Sequence, residues 1–259
     1  MTETSASEGL RKRYLDLVQV SVGNAIYGES ALEMSVNAFV QRLRHPWLTR
    51  KGAMRWPGRA HTMLSSERLS NIRALAEAAV RENIPGDFIE TGVWRGGACI
   101  MMRAVLAAYD VRDRKVICAD SFEGLPPPDI EKYRQDKRDR LFAFKELAVS
   151  VEEVRENFAA YGLLDDQVSF VKGFFRDTLP HLKVDRFALL RLDGDMYEST
   201  MDALTALYDK LSPGGYIIID DYGALKSCRT AVHDYLDAQK LTPDIQKIDS
   251  SGVWWRKAG

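Results

Sequence analysis

Residues 87–97 read Asp87-Phe88-Ile89-Glu90-Thr91-Gly92-Val93-Trp94-Arg95-Gly96-Gly97 and lead straight into an apolar helical stretch, Ala98–Tyr109. A buried strand that empties into a glycine turn and then a helix opens a βαβ unit, in which a ligand can lie against the turn because glycines put no Cβ in its way. The spacing is G-x-x-x-G-G rather than the G-x-G-x-x-G of dinucleotide folds, and an acid stands before it. Glu90 would repel a pyrophosphate and attract a cationic amino-acid moiety.

The same alternation continues downstream. Apolar runs at Val116–Asp120 (VICAD), Val168–Val171 (VSFV), Phe187–Asp193 (FALLRLD) and Tyr216–Asp220 (YIIID) are separated by helical stretches at Val151–Tyr161 and Met201–Leu211, the last stopped by Ser212-Pro213-Gly214-Gly215. Buried-type strands alternating with helices predict a parallel, doubly wound α/β sheet, and right-handed crossovers put the strands' carboxyl ends on one edge. After the helix predicted over 227–239, Ile-Gln-Lys-Ile-Asp, Ser-Ser-Gly and Val-Trp-Trp-Arg-Lys read as a β-hairpin instead of another βα unit. That ending is the arrangement of a class I methyltransferase Rossmann-like sheet, with order 3-2-1-4-5-7-6 and an antiparallel last strand.

Upstream of the first strand, Ser66–Arg81 predicts an amphipathic helix with Ser65 or Ser66 as N-cap. Residues 14–44 follow helical spacing and predict one or two helices, with 1–14 a frayed tail. His45–Ala60, rich in Pro, Gly, Trp and Arg, predicts a loop, either packed on the surface or acting as a lid over the substrate. The chain thus divides into a helical N-terminal extension and lid, 1–64, and a catalytic domain, 65–259.

The 36 basic and 37 acidic residues leave a formal charge of -1, which supplies no electrostatic reason for a nucleic-acid partner. No apolar run approaches the roughly 20 residues of a membrane helix, and the polar start MTETSASEGLRKRY has no secretory apolar core. Cys99, Cys118 and Cys228, odd in number and far apart, read as buried free thiols of a reducing compartment. A cytoplasmic protein follows, without membrane or nucleic-acid partners. The apolar N-terminal helices and tryptophan-rich edge favour a homo-oligomer, with a dimer expected.

The near-zero total hides a local excess of acid. The second strand ends in Asp120, placed to accept hydrogen bonds from ribose hydroxyls. A nucleoside with a cationic appendage and no phosphate describes S-adenosylmethionine. The fourth strand ends in Asp193-Gly194-Asp195 and the fifth in Asp220-Asp221, and in this topology these strands are neighbours. Clustered carboxylates cannot all stay ionised without compensation, and a hard divalent cation, Mg²⁺ in a cell, supplies it. His45, His61, His181 and His233 show no ligand spacing. Methyl transfer to an alcohol needs a nucleophile made nearly anionic, by a metal and a nearby carboxylate. Since the cofactor has no phosphates for a metal to bind, the metal serves an acceptor with adjacent oxygens, a sugar diol or a catechol. The residues alone leave open which acid is ligand and which is base.

Ile89–Cys99, Ala119-Asp120-Ser121-Phe122, Arg191–Asp195, Leu211–Gly215 and Ile219-Asp220-Asp221-Tyr222, with Ala60-His61-Thr62-Met63 and Gly252–Arg256, resemble the macrocin O-methyltransferase family. The resemblance runs from about Tyr14 to Lys257. Its members methylate sugar hydroxyls of macrolide and aminocoumarin antibiotics. The resemblance implies that Glu90, Thr91, Gly92 and Val93 line the methionine part of the cofactor, with Trp94 also a cofactor-binding residue. It further implies that Asp120, Ser121 and Phe122 hold the ribose and adenine, that Thr62 and Met63 cover the cofactor, and that Ser150 and Phe175 flank the adenine. Asp193, Asp220 and Asp221 would bind Mg²⁺, with Asp195 as general base on a hydroxyl of a sugar-bearing small molecule. A catechol- or phenylpropanoid-type O-methyltransferase is the alternative.

Overall fold

The computed structural model describes residues 3–28 and 57–259. Helix α1 spans Glu3–Val22 and α2 Ser66–Arg81. Then follow β1 (Asp87–Thr91), α3 (Gly97–Ala108), β2 (Val116–Asp120), α4 (Val151–Ala160), β3 (Val168–Lys172), the short α5 (Phe175–Thr178) and β4 (Phe187–Leu192). The chain closes with α6 (Tyr197–Leu207), β5 (Leu211–Ile219), α7 (Lys226–Ala238), β6 (Gln246–Lys247) and β7 (Val253–Arg256). The sheet order is β3-β2-β1-β4-β5-β7-β6. Strands β1 to β5 pair in parallel, while β7 lies antiparallel to both β5 and β6. This is the class I methyltransferase sheet that the terminal hairpin predicted.

All six residues of β4 are buried, because helices cover both sheet faces and such strands read as unbroken apolar runs. Neighbouring side chains point to opposite faces. Phe88 enters one core layer with Leu15, Ile72 and Met101, and Ile89 enters the other with Leu190, Leu204 and Trp255. Cys99, Cys118 and Cys228 are free and buried. Among the described residues no helix is long and apolar enough to cross a membrane.

Three local expectations are corrected. Residues 3–14 are not a frayed tail but part of α1, which packs Leu15, Val18 and Val22 into the core and is pinned by Arg11, whose Nε donates to the Ala108 carbonyl at 2.9 Å. Helix α6 begins at Tyr197, four residues before the predicted Met201. It does not run to Leu211. Strand β5 already starts there: Leu211 pairs with Phe187, and Lys257 Nζ donates to its carbonyl at 2.7 Å. The Ser-Pro-Gly-Gly sequence is therefore an irregularity inside a strand and not a helix stop. The loop predicted over 45–60 lies outside the described residues except for 57–60, as does the helical reading of 29–44.

Between β2 and α4 the chain carries an insert of three 3₁₀ turns, Arg134–Asp136, Leu141–Ala143 and Lys145–Leu147. At the other end of the edge, the hairpin turn between β6 and β7 braces the loop after β5. Ser251 Oγ donates to the Asp220 carbonyl at 2.7 Å, and Gly223 N–H donates to the Ser251 carbonyl at 2.7 Å.

Candidate active site

The strand ends meet in a cavity of about 750 Å³, open to solvent, lined on one side by Met63, Gly92, Trp94, Asp120 and Ser121 and on the other by Asp193, Gly194 and Asp195. Phe174, Phe175, Leu125, Pro126 and Leu147 supply apolar wall.

At its β1–β2 side the backbone is tightly folded. Gly92 has φ +86, and a Cβ there would sit 1.7 Å from the Asp193 carbonyl oxygen, so only glycine lets β1 and β4 end this close together. The residues after β1 and β2 also include two bulky left-handed conformations, Trp94 at φ 48 and Phe122 at φ 55. Asp120 holds both. Its Oδ2 accepts from Val93 N at 2.6 Å and Trp94 N at 3.4 Å, and its Oδ1 accepts from Phe122 N at 2.7 Å. Burial pushes the Asp120 carboxyl above its usual range, and these backbone donors oppose that. Each carboxylate oxygen has two lone pairs, so Asp120 is largely committed to shaping the turn. Trp94 in turn ties the insert to the turn, its Nε1 donating to the Glu146 carbonyl at 2.8 Å.

Glu90 lies beneath this turn, 2% exposed, and does not reach the cavity wall. One oxygen is paired with Arg191 and the other accepts from the Cys99 thiol at 2.8 Å. Burial raises its carboxyl to about 7 against the pull of Arg191.

Arg191 is the residue the sequence reading passed over. Its side chain is 1% exposed, and its guanidinium bridges Glu90, Asp193 Oδ2 at 2.8 Å and Asp220 Oδ1 at 2.5 Å. Burial alone would lower its pKa, but the three carboxylates outweigh that and keep it charged. A signal existed: an arginine inside the apolar run FALLRL must be paired if the strand is buried. Arg68, from α2, adds a second guanidinium on Asp220 Oδ2 at 2.5 Å and on Asp249 at 2.9 Å.

The acidic side is differently satisfied. Asp193, Asp195 and Asp221 each bring an oxygen to within 4.8 Å of one another, whereas Asp220 turns to the two arginines. Among the described residues Asp221 Oδ2 is buried without a hydrogen-bond partner. Burial first, and neighbouring carboxylates second, hold Asp195 and Asp221 well above the usual carboxylate range. Three convergent carboxylates with an orphaned oxygen are an oxygen-only donor set suited to a hard divalent cation. The cavity fits the cofactor as well. Among the described residues its charged lining is Asp120, Asp193, Asp195, Glu198 and Asp202 against Arg176, which suits a sulfonium and an ammonium and not a phosphate.

Of the cofactor residues the sequence indicated, Met63, Gly92, Trp94, Asp120, Ser121 and Phe175 line the cavity. Thr91, Val93 and Phe122 are buried in the turns behind that wall. Thr62 is buried against the start of α3, where the His61 carbonyl accepts from Gly97 N at 2.8 Å. Ser150 lies off the cavity lining and caps α4, its Oγ accepting from Glu153 N at 3.1 Å. His61 and His233 are hydrogen-bonded to Tyr161 and Tyr222 and stand apart from the acidic group.

Sheet order, glycine turn and acid-lined cavity together define an S-adenosylmethionine-dependent methyltransferase of class I. Comparison with known proteins narrows this. The macrocin-O-methyltransferase (TylF) family matches residues 11–257, and the chain belongs to it as an O-methyltransferase. It is 45% identical over 251 residues to the mycinamicin III 3''-O-methyltransferase of Micromonospora griseorubida, covering 95% of this chain and 96% of that one. It is 46% identical over 251 residues to the 8-demethyl-8-(2,3-dimethoxy-alpha-L-rhamnosyl)-tetracenomycin-C 4'-O-methyltransferase of Streptomyces olivaceus, covering 96% and 94%. Among solved structures, the O-methyltransferase NovP superposes with a TM-score of 0.86 at 44% identity, covering 96% of this chain and 100% of that one.

Proposed function

We propose that this enzyme moves the methyl group of S-adenosylmethionine to a deoxysugar hydroxyl of a glycosylated antibiotic precursor, of macrolide or aminocoumarin type, with Mg²⁺ at the acidic strand ends. The observation that carries the reading is the convergence of Asp193, Asp195 and Asp221 beside the cofactor cavity, with Asp221 Oδ2 unpartnered among the described residues. The rhamnosyl group in the name of the Streptomyces olivaceus relative supports a sugar acceptor.

Asp193, Asp220 and Asp221 would hold the metal. Asp220 can keep both arginines and still offer lone pairs, since a carboxylate has about four acceptor sites. When bound, Mg²⁺ lowers the pKa of a coordinated hydroxyl. Asp195 would accept the proton of the acceptor hydroxyl as general base. Glu90, Thr91, Gly92 and Val93 serve the methionine end of the cofactor; Asp120, Ser121 and Phe122 its ribose and adenine; Ser150 and Phe175 its adenine side; Trp94 also contributes to cofactor binding. Thr62 and Met63 cover it as the end of the 1–64 extension. Glu90 acts through charge beneath the turn, and Asp120 chiefly by holding the turn's backbone. The three buried free thiols support a cytoplasmic location. Exposed Leu10, Tyr14 and Leu17, at helical spacing on α1, support a homodimer.

Chelation tests the reading. Enzyme stripped with EDTA should lose methyl transfer to a demethylated antibiotic glycoside and regain it with Mg²⁺. Undiminished turnover after chelation removes the metal, and efficient turnover of a simple catechol with glycosides inert replaces the acceptor class.

A further inference from the structure

We propose that Asp136, in the insert, is a positioning residue for methyl transfer: its carboxylate clamps the strained turn that carries Asp195. The inference rests on the general-base reading of Asp195.

The turn between β4 and α6 is unusual. Asp195 sits at φ 59, a left-handed conformation foreign to most non-glycine residues, and Met196 N–H donates back to the Gly194 carbonyl at 2.6 Å. Backbone of this kind persists only where its surroundings over-determine it. Upstream the turn is tied to the sheet by Asp193 N–H, which donates to the Thr91 carbonyl at 2.9 Å. Downstream it runs into α6, whose N-cap residue is Met196, with no side-chain oxygen to accept from the first turn. The leading N–H groups of a helix need an external acceptor.

Asp136 supplies it from 61 residues away in sequence. It is 1% exposed; its Oδ1 accepts from Tyr197 N at 2.8 Å and its Oδ2 from Glu198 N at 3.0 Å. Both acceptors are spent on one helix end, and a negative charge there also complements the helix dipole. Asp136 is itself held by a 3₁₀ turn, its N–H donating to the Tyr133 carbonyl at 3.2 Å and its carbonyl accepting from Asp139 N at 2.9 Å. The Tyr133 ring stands 5.6 Å from that of Tyr197. Asp136 is absent from the cavity lining, so it acts on Asp195 only through the backbone of the turn.

The test uses Asp136→Ala, Asp136→Asn, Asp195→Asn and the double variant Asp136→Ala/Asp195→Asn, each with kcat, acceptor KM, Tm and calorimetric S-adenosylmethionine affinity. Asp136→Ala is expected to lose roughly 10²-fold in kcat, the scale of a small misplacement of a reacting group, with cofactor affinity unchanged. Asp136→Asn, which keeps one acceptor oxygen, should recover part of that loss. In the Asp195→Asn background, Asp136→Ala should cost little further, because both changes remove one function. Parental kcat in Asp136→Ala overturns the proposal, as does a loss that adds in full to that of Asp195→Asn or is matched by an equal loss of cofactor affinity. If Asp136→Ala does not fold, Asp136→Asn and its double variant with Asp195→Asn carry the same comparison. A fully active Asp195→Asn would overturn the base reading itself, whereas an inactive Asp195→Asn beside a fully active Asp136→Ala would overturn only the role given to Asp136.

Discussion

The two halves of the strand-end edge use the same side chain to opposite ends. At β1 and β2, every carboxylate oxygen has a partner: those of Asp120 the backbone N–H groups of Val93, Trp94 and Phe122, those of Glu90 Arg191 and Cys99. At β4 and β5, Asp193, Asp195 and Asp221 crowd together, and one oxygen of Asp221 has no partner among the described residues. A buried carboxylate whose oxygens are both paired within the protein shapes a site, whereas an oxygen left unpaired costs energy until a ligand satisfies it. Sequence shows both as acids at strand ends. Only their partners separate scaffold from reagent.

Substitutions can break that contrast, and the largest effect belongs to the β4–β5 side. Asp195→Asn should lower kcat by about 10²–10⁴-fold, the range for a positioned general base, while calorimetry finds S-adenosylmethionine binding intact; parental turnover would move the base elsewhere. On the β1–β2 side, Asp120→Asn weakens charge-assisted bonds worth about 1.5–3 kcal/mol. A lower Tm and a cofactor Kd about tenfold weaker or more are expected, with kcat at saturating cofactor little changed. A fall in kcat alone would put Asp120 among the reagents. The smallest effect is at Ser150. If its task is to cap α4, Ser150→Ala costs about 1 kcal/mol of stability and leaves cofactor affinity untouched. A clear loss of affinity without loss of Tm would show contact with the adenine instead.

What could be read from the sequence follows the range of the interactions. The first four strands, the glycine turn and the terminal hairpin are encoded by local alternation and turn residues and lie where they were predicted, whereas β5 starts at Leu211, ahead of the predicted Tyr216. The start of α6 was misplaced because its cap is Asp136, far upstream, and nothing in Met196-Tyr197-Glu198 signals a helix beginning. The Ser212–Gly215 stretch looked like a helix stop because the partners that make it a strand, Phe187 and Lys257, are equally distant. The acidic cluster was legible as a composition of residues at two neighbouring strand ends. That Asp220 faces Arg191 and Arg68 while Asp195 joins Asp193 and Asp221 depends on side-chain directions that no spacing records.

The brace laid by Ser251 on the Asp220 loop also sets an order of events. A ribosome delivers the glycine turn of β1 early, and the first five strands can pair in the sequence in which they emerge. Strand β7 must then slot in beside β5, carrying Ser251 to the Asp220 carbonyl and Gly223 to its acceptor. Until residues 250–256 have left the exit tunnel, the acidic loop lacks this brace and relies on its ties to Arg191, Arg68 and the Leu192 carbonyl. The last strand to be made thus completes the edge that carries Asp220 and Asp221, after the strands that flank the glycine turn.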